Sequence, residues 1–278
     1  MTVSNARRPA FRLLMLLSAA TLAGLPLAGC NRPNAEDVTG SIPTQESLPK
    51  QDAELRQYSE EMGRRYDSDR NNKKVAMSYA RSLRLLSQHA QAVAVMQGLA
   101  VKYPRDMEVL GLYGKTLADA GRMQEAAKVL ENAHTPERPN WSILSAQGSV
   151  ADQMGDHEQA QNYYAAALKI RPNDPTVLSN LGLSYALSRN LPRAETTLRE
   201  AVAQPGADMR VRQNLALVLA LQGKFAEAEE VSRRDLSAID ASANVASIRR
   251  MISQSNTWRD IKKIDGAAKP AKATAPNG

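Results

Sequence analysis

The chain has 278 residues, a net charge of +7, 4% aromatic residues and one cysteine. That length suits one solenoid or two compact domains, and a lone cysteine excludes an intramolecular disulfide. The positive excess is scattered rather than gathered into a basic stripe with interleaved aromatics, which argues against a nucleic-acid partner.

Residues 1–29 read as a secretory leader. Arg7, Arg8 and Arg12 form its basic start, and the apolar run Leu13–Leu25 is short for a bilayer span. Leu27-Ala28-Gly29-Cys30 follows, and small residues before a cysteine resemble the bacterial lipobox. That resemblance implies a lipid on Cys30, which becomes the first mature residue. Asn31 is not the aspartate associated with inner-membrane retention, so the expected address is the periplasmic face of the outer membrane. Without the leader's three arginines the net charge is +4.

Residues 30–50 contain three prolines and few apolar groups, and read as a flexible tether spanning roughly 25 Å. From Asp52 to Asp67 a helix is predicted, because Leu55, Tyr58, Met62 and Tyr66 share one helical face. Tyr58 and Met62 also stand one repeat period ahead of Ala92 and Met96 in the array that follows. This segment therefore reads as the second helix of a degenerate repeat that closes the N-terminal end.

From Lys73 to Ala241 the chain repeats with a period of about 34 residues. Ala80, Gly114, Gly148, Gly182 and Ala216 form one column of small residues, and Ala92, Ala126, Ala160, Ala194 and Ala228 form a second. Counting Lys73 as position 1, these are positions 8 and 20. Two such columns in step over five copies resemble the tetratricopeptide repeat. Each copy is then two helices whose close approach needs the small residues. Gly121, Gly155 and Gly223 supply the left-handed residue that ends a first helix. The fifth copy fades after Ala228. The fold class expected is all-α, a solenoid of about five helix pairs with capping helices over residues 51–265.

A C-terminal cap is predicted from Ala243 to Ile252, with Val245, Ile248 and Ile252 inward and Arg249 and Arg250 in water. Ile261 and Ile264 suggest a further short packed segment, with Trp258 as an anchor onto the last repeat. Residues 266–278, rich in Ala, Pro, Lys and Gly, read as disordered.

No catalytic constellation emerges. There is no His-x-x-x-His pair, no cysteine cluster, no Gly-x-Ser-x-Gly elbow and no glycine-rich loop after a strand. His89 and His157 share position 17, where a solvent-facing or capping role is expected. Nothing implies a cofactor, a metal or a small-molecule substrate, and the chain reads as non-enzymatic.

The repeat resemblance implies a concave groove lined by positions 2, 5, 6, 9, 12 and 13 of the first helices. Its N-terminal end then carries Lys74, Arg81, Arg84 and Lys115. Its C-terminal end carries Leu183, Leu187, Leu217 and Leu221, with Asn180 and Asn214 together at position 6. Two readings stand for this end: the asparagines grip a peptide backbone and the leucines bury its side chains, or the leucines pack against the terminal cap while the asparagines cap polar backbone. The basic end lacks the asparagines of a dicarboxylate clamp, since Ser78 and Leu112 occupy those places.

The leader, the tether, the repeats and the tail from Ala243 to Trp258 together resemble the lipoprotein of the tight-adherence (Flp) pilus assembly system. That resemblance implies an outer-membrane assembly factor with protein partners such as a secretin. A general envelope scaffold for outer-membrane protein insertion or cell-wall synthesis is the alternative, and an activator of peptidoglycan enzymes is a further one.

Overall fold

The computed structural model describes residues 48, 49 and 51–267, with side chains to Gln254. The leader, Cys30 and most of the tether lie outside the described residues, as do residues 268–278 and the Trp258 side chain. Five first helices, each 13 residues long, begin one repeat period apart: α2 (Lys73–Leu85), α4 (Met107–Asp119), α6 (Trp141–Gln153), α8 (Pro175–Leu187) and α10 (Met209–Leu221). Their partners keep the same interval: α3 (His89–Lys102), α5 (Met123–Glu131), α7 (His157–Ile170), α9 (Leu191–Ala203) and α11 (Phe225–Ser232). The shortness of α11 matches the fading of the fifth copy.

The first helices start where they do because each is capped. Asn72, Asp106, Asn140, Asp174 and Asp208 form a column just ahead of them. Each side chain accepts a hydrogen bond from the backbone N–H of Val75, Val109, Ile143, Val177 or Val211 respectively. A cap of this kind stabilises by about 1 kcal/mol. The β-branched residue three positions on then turns into the core: Val109 and Val177 are fully buried.

The columns of small residues do what their size allows. All five alanines of position 20 are fully buried. At position 8 a Cβ on Gly114, Gly148 or Gly182 would come within 2.6 Å of Leu130, Tyr164 or Leu198 at position 24. First helices also touch the first helix of the next pair, from α2·α4 through α10·α12, whereas no two second helices reach such contact among the described residues. The stack therefore curves with its first helices on the inner face.

Between helices of a pair, position 15 is left-handed in every copy. Gly121, Gly155 and Gly223 have φ of 77°, 88° and 80°, while Ser87 and Arg189 hold φ of 58° and 64° at the same place. A side chain there is strained by about 1 kcal/mol. Arg189→Gly is thus expected to stabilise by ~0.5–1 kcal/mol, read as a rise in the urea midpoint with an unchanged slope. A lower midpoint would show that the Arg189 side chain makes a compensating contact.

The ends close as caps. α1 (Asp52–Ser68) packs Leu55 and Met62 inward against α2. α12 (Ala238–Ala267) is longer than the predicted cap and is one continuous helix, so the separate segment expected around Ile261 is part of it. Val245 lies one repeat period beyond Val211 and is buried, placing α12 as a sixth first helix on α10 and α11. Arg250, at the close-contact position 8, is exposed, and a residue of that size there prevents another second helix from docking. Among the described residues no helix is long and apolar enough to cross a membrane.

Candidate partner-binding face

The inner face divides into three zones. At the N-terminal end, side chains from one first helix reach the next. Arg81 pairs with Glu108 at 3.3 Å and Arg84 with Asp119 at 2.6 Å. Lys73 binds Asp106 at 2.6 Å, and Lys74 beside it is exposed. Lys115 donates to the Ser142 hydroxyl at 2.7 Å. Burial pushes the Lys115 ammonium down to about 8, Arg84 and Arg81 add to the fall, and Asp119 opposes it. The four cations read from the sequence thus lie on two neighbouring helices, and three of them are held across helix boundaries.

The middle zone, on α6, presents Ser142, Ser145, Ala146, Ser149 and Gln153 at the lining positions. The remaining lining residue, at position 12, is Asp152, whose carboxylate accepts from Ser184 (2.8 Å), His157 (2.9 Å) and the Tyr164 phenol (3.2 Å). Burial beside that carboxylate raises the Tyr164 pKa well above its ordinary range. His157, the first residue of α7, is therefore a half-buried partner of Asp152 and does not take the solvent-facing one of the two roles expected for it. The imidazole sits one turn from a carboxylate that sequence spacing alone does not orient. Among the described residues no three His, Cys, Asp or Glu side chains converge on a metal position.

The C-terminal zone is apolar. Leu183 and Leu217 are half-buried at position 9, while Leu187 and Leu221, one turn on, are 56% and 39% exposed. Asn214 donates to Ser179 at 2.9 Å and ties α10 to α8; Asn180, its counterpart, is half-buried. Ile248 and Met251 of α12 continue the strip at positions 6 and 9, with Met251 57% exposed. They are absent from the sequence-derived groove because α12 reads there as a cap, although Val245 already signalled the register. The cap packs on α10, which carries Leu217 and Leu221, and on α11, while Leu187 on α8 and Leu221 keep part of their surface exposed.

A family model for the tetratricopeptide repeat matches residues 80–140, 145–209 and 188–238, more than half of the chain. The chain belongs to the tetratricopeptide repeat family. An uncharacterized protein of Sinorhizobium fredii, y4yS, is 30% identical over 124 residues, 43% of this chain and 68% of that protein. The crystal structure of PilW, a widely conserved type IV pilus biogenesis factor, superposes with a TM-score of 0.59 at 17% identity, over 70% of this chain and 91% of PilW. PilF of Pseudomonas aeruginosa gives 0.50 at 19% identity, over 76% and 90%. At these identities the two structures establish the fold. The tetratricopeptide repeat solenoid is a scaffold for protein–protein interaction, and the inner face is the surface such a scaffold offers.

Proposed function

We propose that this repeat protein is a lipid-anchored scaffold of the cell envelope that captures a subunit of an Flp-type pilus machine, such as its secretin. The observation that carries the binding reading is the apolar strip of the inner face, where Leu187, Leu221 and Met251 stay exposed on three successive first helices. Apolar side chains aligned across a concave surface gain most when a partner removes them from water, at about 25 cal/mol per Å². The lipobox at Cys30 and the polar tether support the anchor, and the tail from Ala243 supports the pilus assignment by its resemblance.

Crosslinked pull-down from the native envelope tests both halves. Wild type is expected to capture a secretin or another pilus subunit. Leu183→Asp/Leu217→Asp is expected to lose it while keeping its helical circular dichroism, since carboxylates at these half-buried positions oppose an apolar ligand that would desolvate them. Capture of insertion or cell-wall machinery overturns the pilus assignment, and undiminished capture by the double variant overturns the strip. In the same preparations Cys30→Ser is expected to leave the membrane fraction after a salt wash, and its retention there would refute the lipid anchor.

A further inference from the structure

One second helix differs from the others on its outer side. From Leu85 to Val101 the sequence holds no Asp, Glu, Lys or Arg, and all of α3 except its last residue falls in that stretch. Its exposed ridge is Ala90, Ala94, Gln97, Gly98 and Val101, and Val101 is 79% exposed. The neighbouring outer ridges are charged: Glu60 and Arg64 on α1, and Glu125, Lys128 and Glu131 on α5. An uncharged centre inside a charged border is the composition of a protein interface rather than of a solvated face. Gly98 fits the same reading. A glycine inside a helix costs stability relative to alanine, and a Cβ on Gly98 would meet nothing within 4 Å. Nothing within the chain calls for it, unlike Gly114, Gly148 and Gly182, whereas a helix crossing closely over α3 does.

The charges beside the ridge fit a second copy of this chain. Glu60 and Arg64 stand one repeat period before Ala94 and Gly98, so they hold the same places on α1 that those residues hold on α3. Glu61 is paired with Arg65, whereas Glu60 and Arg64 have no ion pair among the described residues. In an antiparallel crossing of two α3 helices, with the two-fold midway between Ala94 and Gly98, Ala94 of each copy meets Gly98 of the other. The flanking helices follow the same axis. Glu60 of each copy then meets Arg64 of the other, while on α5 Lys128 meets Asn132 and Glu125 meets Thr135. No like charges oppose. We propose that the outer ridge of α3 is the interface of a two-fold symmetric dimer of this chain, bordered by two reciprocal Glu60–Arg64 ion pairs. The contact leaves both inner faces open, so the dimer offers two partner-binding surfaces. Three short ridges bury less than the roughly 800 Å² per partner of a standard interface, so the contact is weak in solution. Two lipid-anchored copies on one membrane, on the reading given above, meet at a much higher effective concentration.

The test is sedimentation velocity of the full mature chain from about 5 to about 500 µM, with Cys30→Ser in every sample to remove association through acyl chains. The chain is expected to pass from monomer to dimer with a Kd on the order of 100 µM. Ala94→Arg is expected to weaken the dimer by about tenfold or more, because it places a desolvated cation at the centre of the contact. Ala94 is exposed and arginine is a good helix former, so circular dichroism is expected to be unchanged. Glu60→Arg is expected to weaken the dimer several-fold by setting two cations against each other, and Glu60→Arg/Arg64→Glu to restore it, since the reversed pairs keep the same geometry. A parallel crossing would instead set Glu60 against Lys128 of α5, and the double exchange would then fail to rescue. A monomer throughout the range, or a dimer undiminished in Ala94→Arg, overturns the interface. Loss in Glu60→Arg without recovery in the double exchange overturns the antiparallel register. All three residues lie away from the inner face, so failure here leaves the leucine strip to be judged by the pull-down.

Discussion

Gly148→Ala is expected to destabilise the solenoid by about 2–3 kcal/mol, although alanine is the better helix former. The added Cβ would stand 2.6 Å from one ring carbon of Tyr164 and 2.8 Å and 2.9 Å from two others. Carbon atoms rest at about 3.5–4.0 Å, so the ring or the helix must move. The ring has little freedom: it is 2% exposed, and its hydroxyl donates to Asp152. The repeat itself suggests the rescue. Where position 8 is alanine, position 24 is yielding or small: Ala80 meets Met96 and Ala216 meets Ser232, whereas glycine faces Leu130, Tyr164 and Leu198. Gly148→Ala/Tyr164→Met is therefore expected to recover part of the loss. Gly98→Ala is the control, because nothing lies within 4 Å of its Cβ. It should gain ~0.5–1 kcal/mol. Thermal unfolding reads the series, with a fall of roughly 5–10 °C for Gly148→Ala. A midpoint equal to wild type would mean that α6 and α7 are not in close contact at this position.

The same logic explains why so much of this fold can be read from sequence. A repeat writes each packing requirement five times, so Gly148 and Ala160 stand out as members of columns although neither would alone. The cap column from Asn72 to Asp208 and the core column from Val75 to Val245 are equally regular. They are harder to notice, because Asn and Asp also mark turns and valine is common in any core. Once Val245 is placed in its column, α12 becomes a sixth first helix and Ile248 and Met251 join the inner face. The charge pattern follows the columns in part: Arg81 and Lys115, both at position 9, each reach position 2 of the next copy, 27 residues on. Arg81 meets Glu108 and Arg84 meets Asp119 across helix boundaries, at separations of 27 and 35 residues, and Lys115 meets a serine. Which cation ends with an acid and which with a hydroxyl depends on side-chain reach in the stacked superhelix. The stacking supplies the rule that position 9 reaches position 2 of the next copy, and with that rule the sequence assigns Glu108 to Arg81 and Ser142 to Lys115.

That cation yields the second large effect. Lys115→Met is expected to stabilise the protein at neutral pH by about 2–3 kcal/mol. The folded ammonium titrates at about 8 against an ordinary value of 10.5, so folding disfavours its charged form. Each unit of such a shift corresponds to about 1.4 kcal/mol, reduced here because the side chain is only partly withdrawn from water. The sign fixes the pH window. Below about 8 the lysine is charged in both states and its cost is fully present; between 8 and 10.5 the folded protein has released the proton, and the cost fades as the unfolded chain follows. Methionine keeps the aliphatic volume without the charge, and Ser142, half-exposed, takes water in place of the ammonium. Urea midpoints of wild type and Lys115→Met should therefore differ clearly at about pH 7 and converge as the pH approaches about 10. A variant less stable than wild type at neutral pH would mean that the Lys115–Ser142 contact outweighs the desolvation and the repulsion from Arg81 and Arg84.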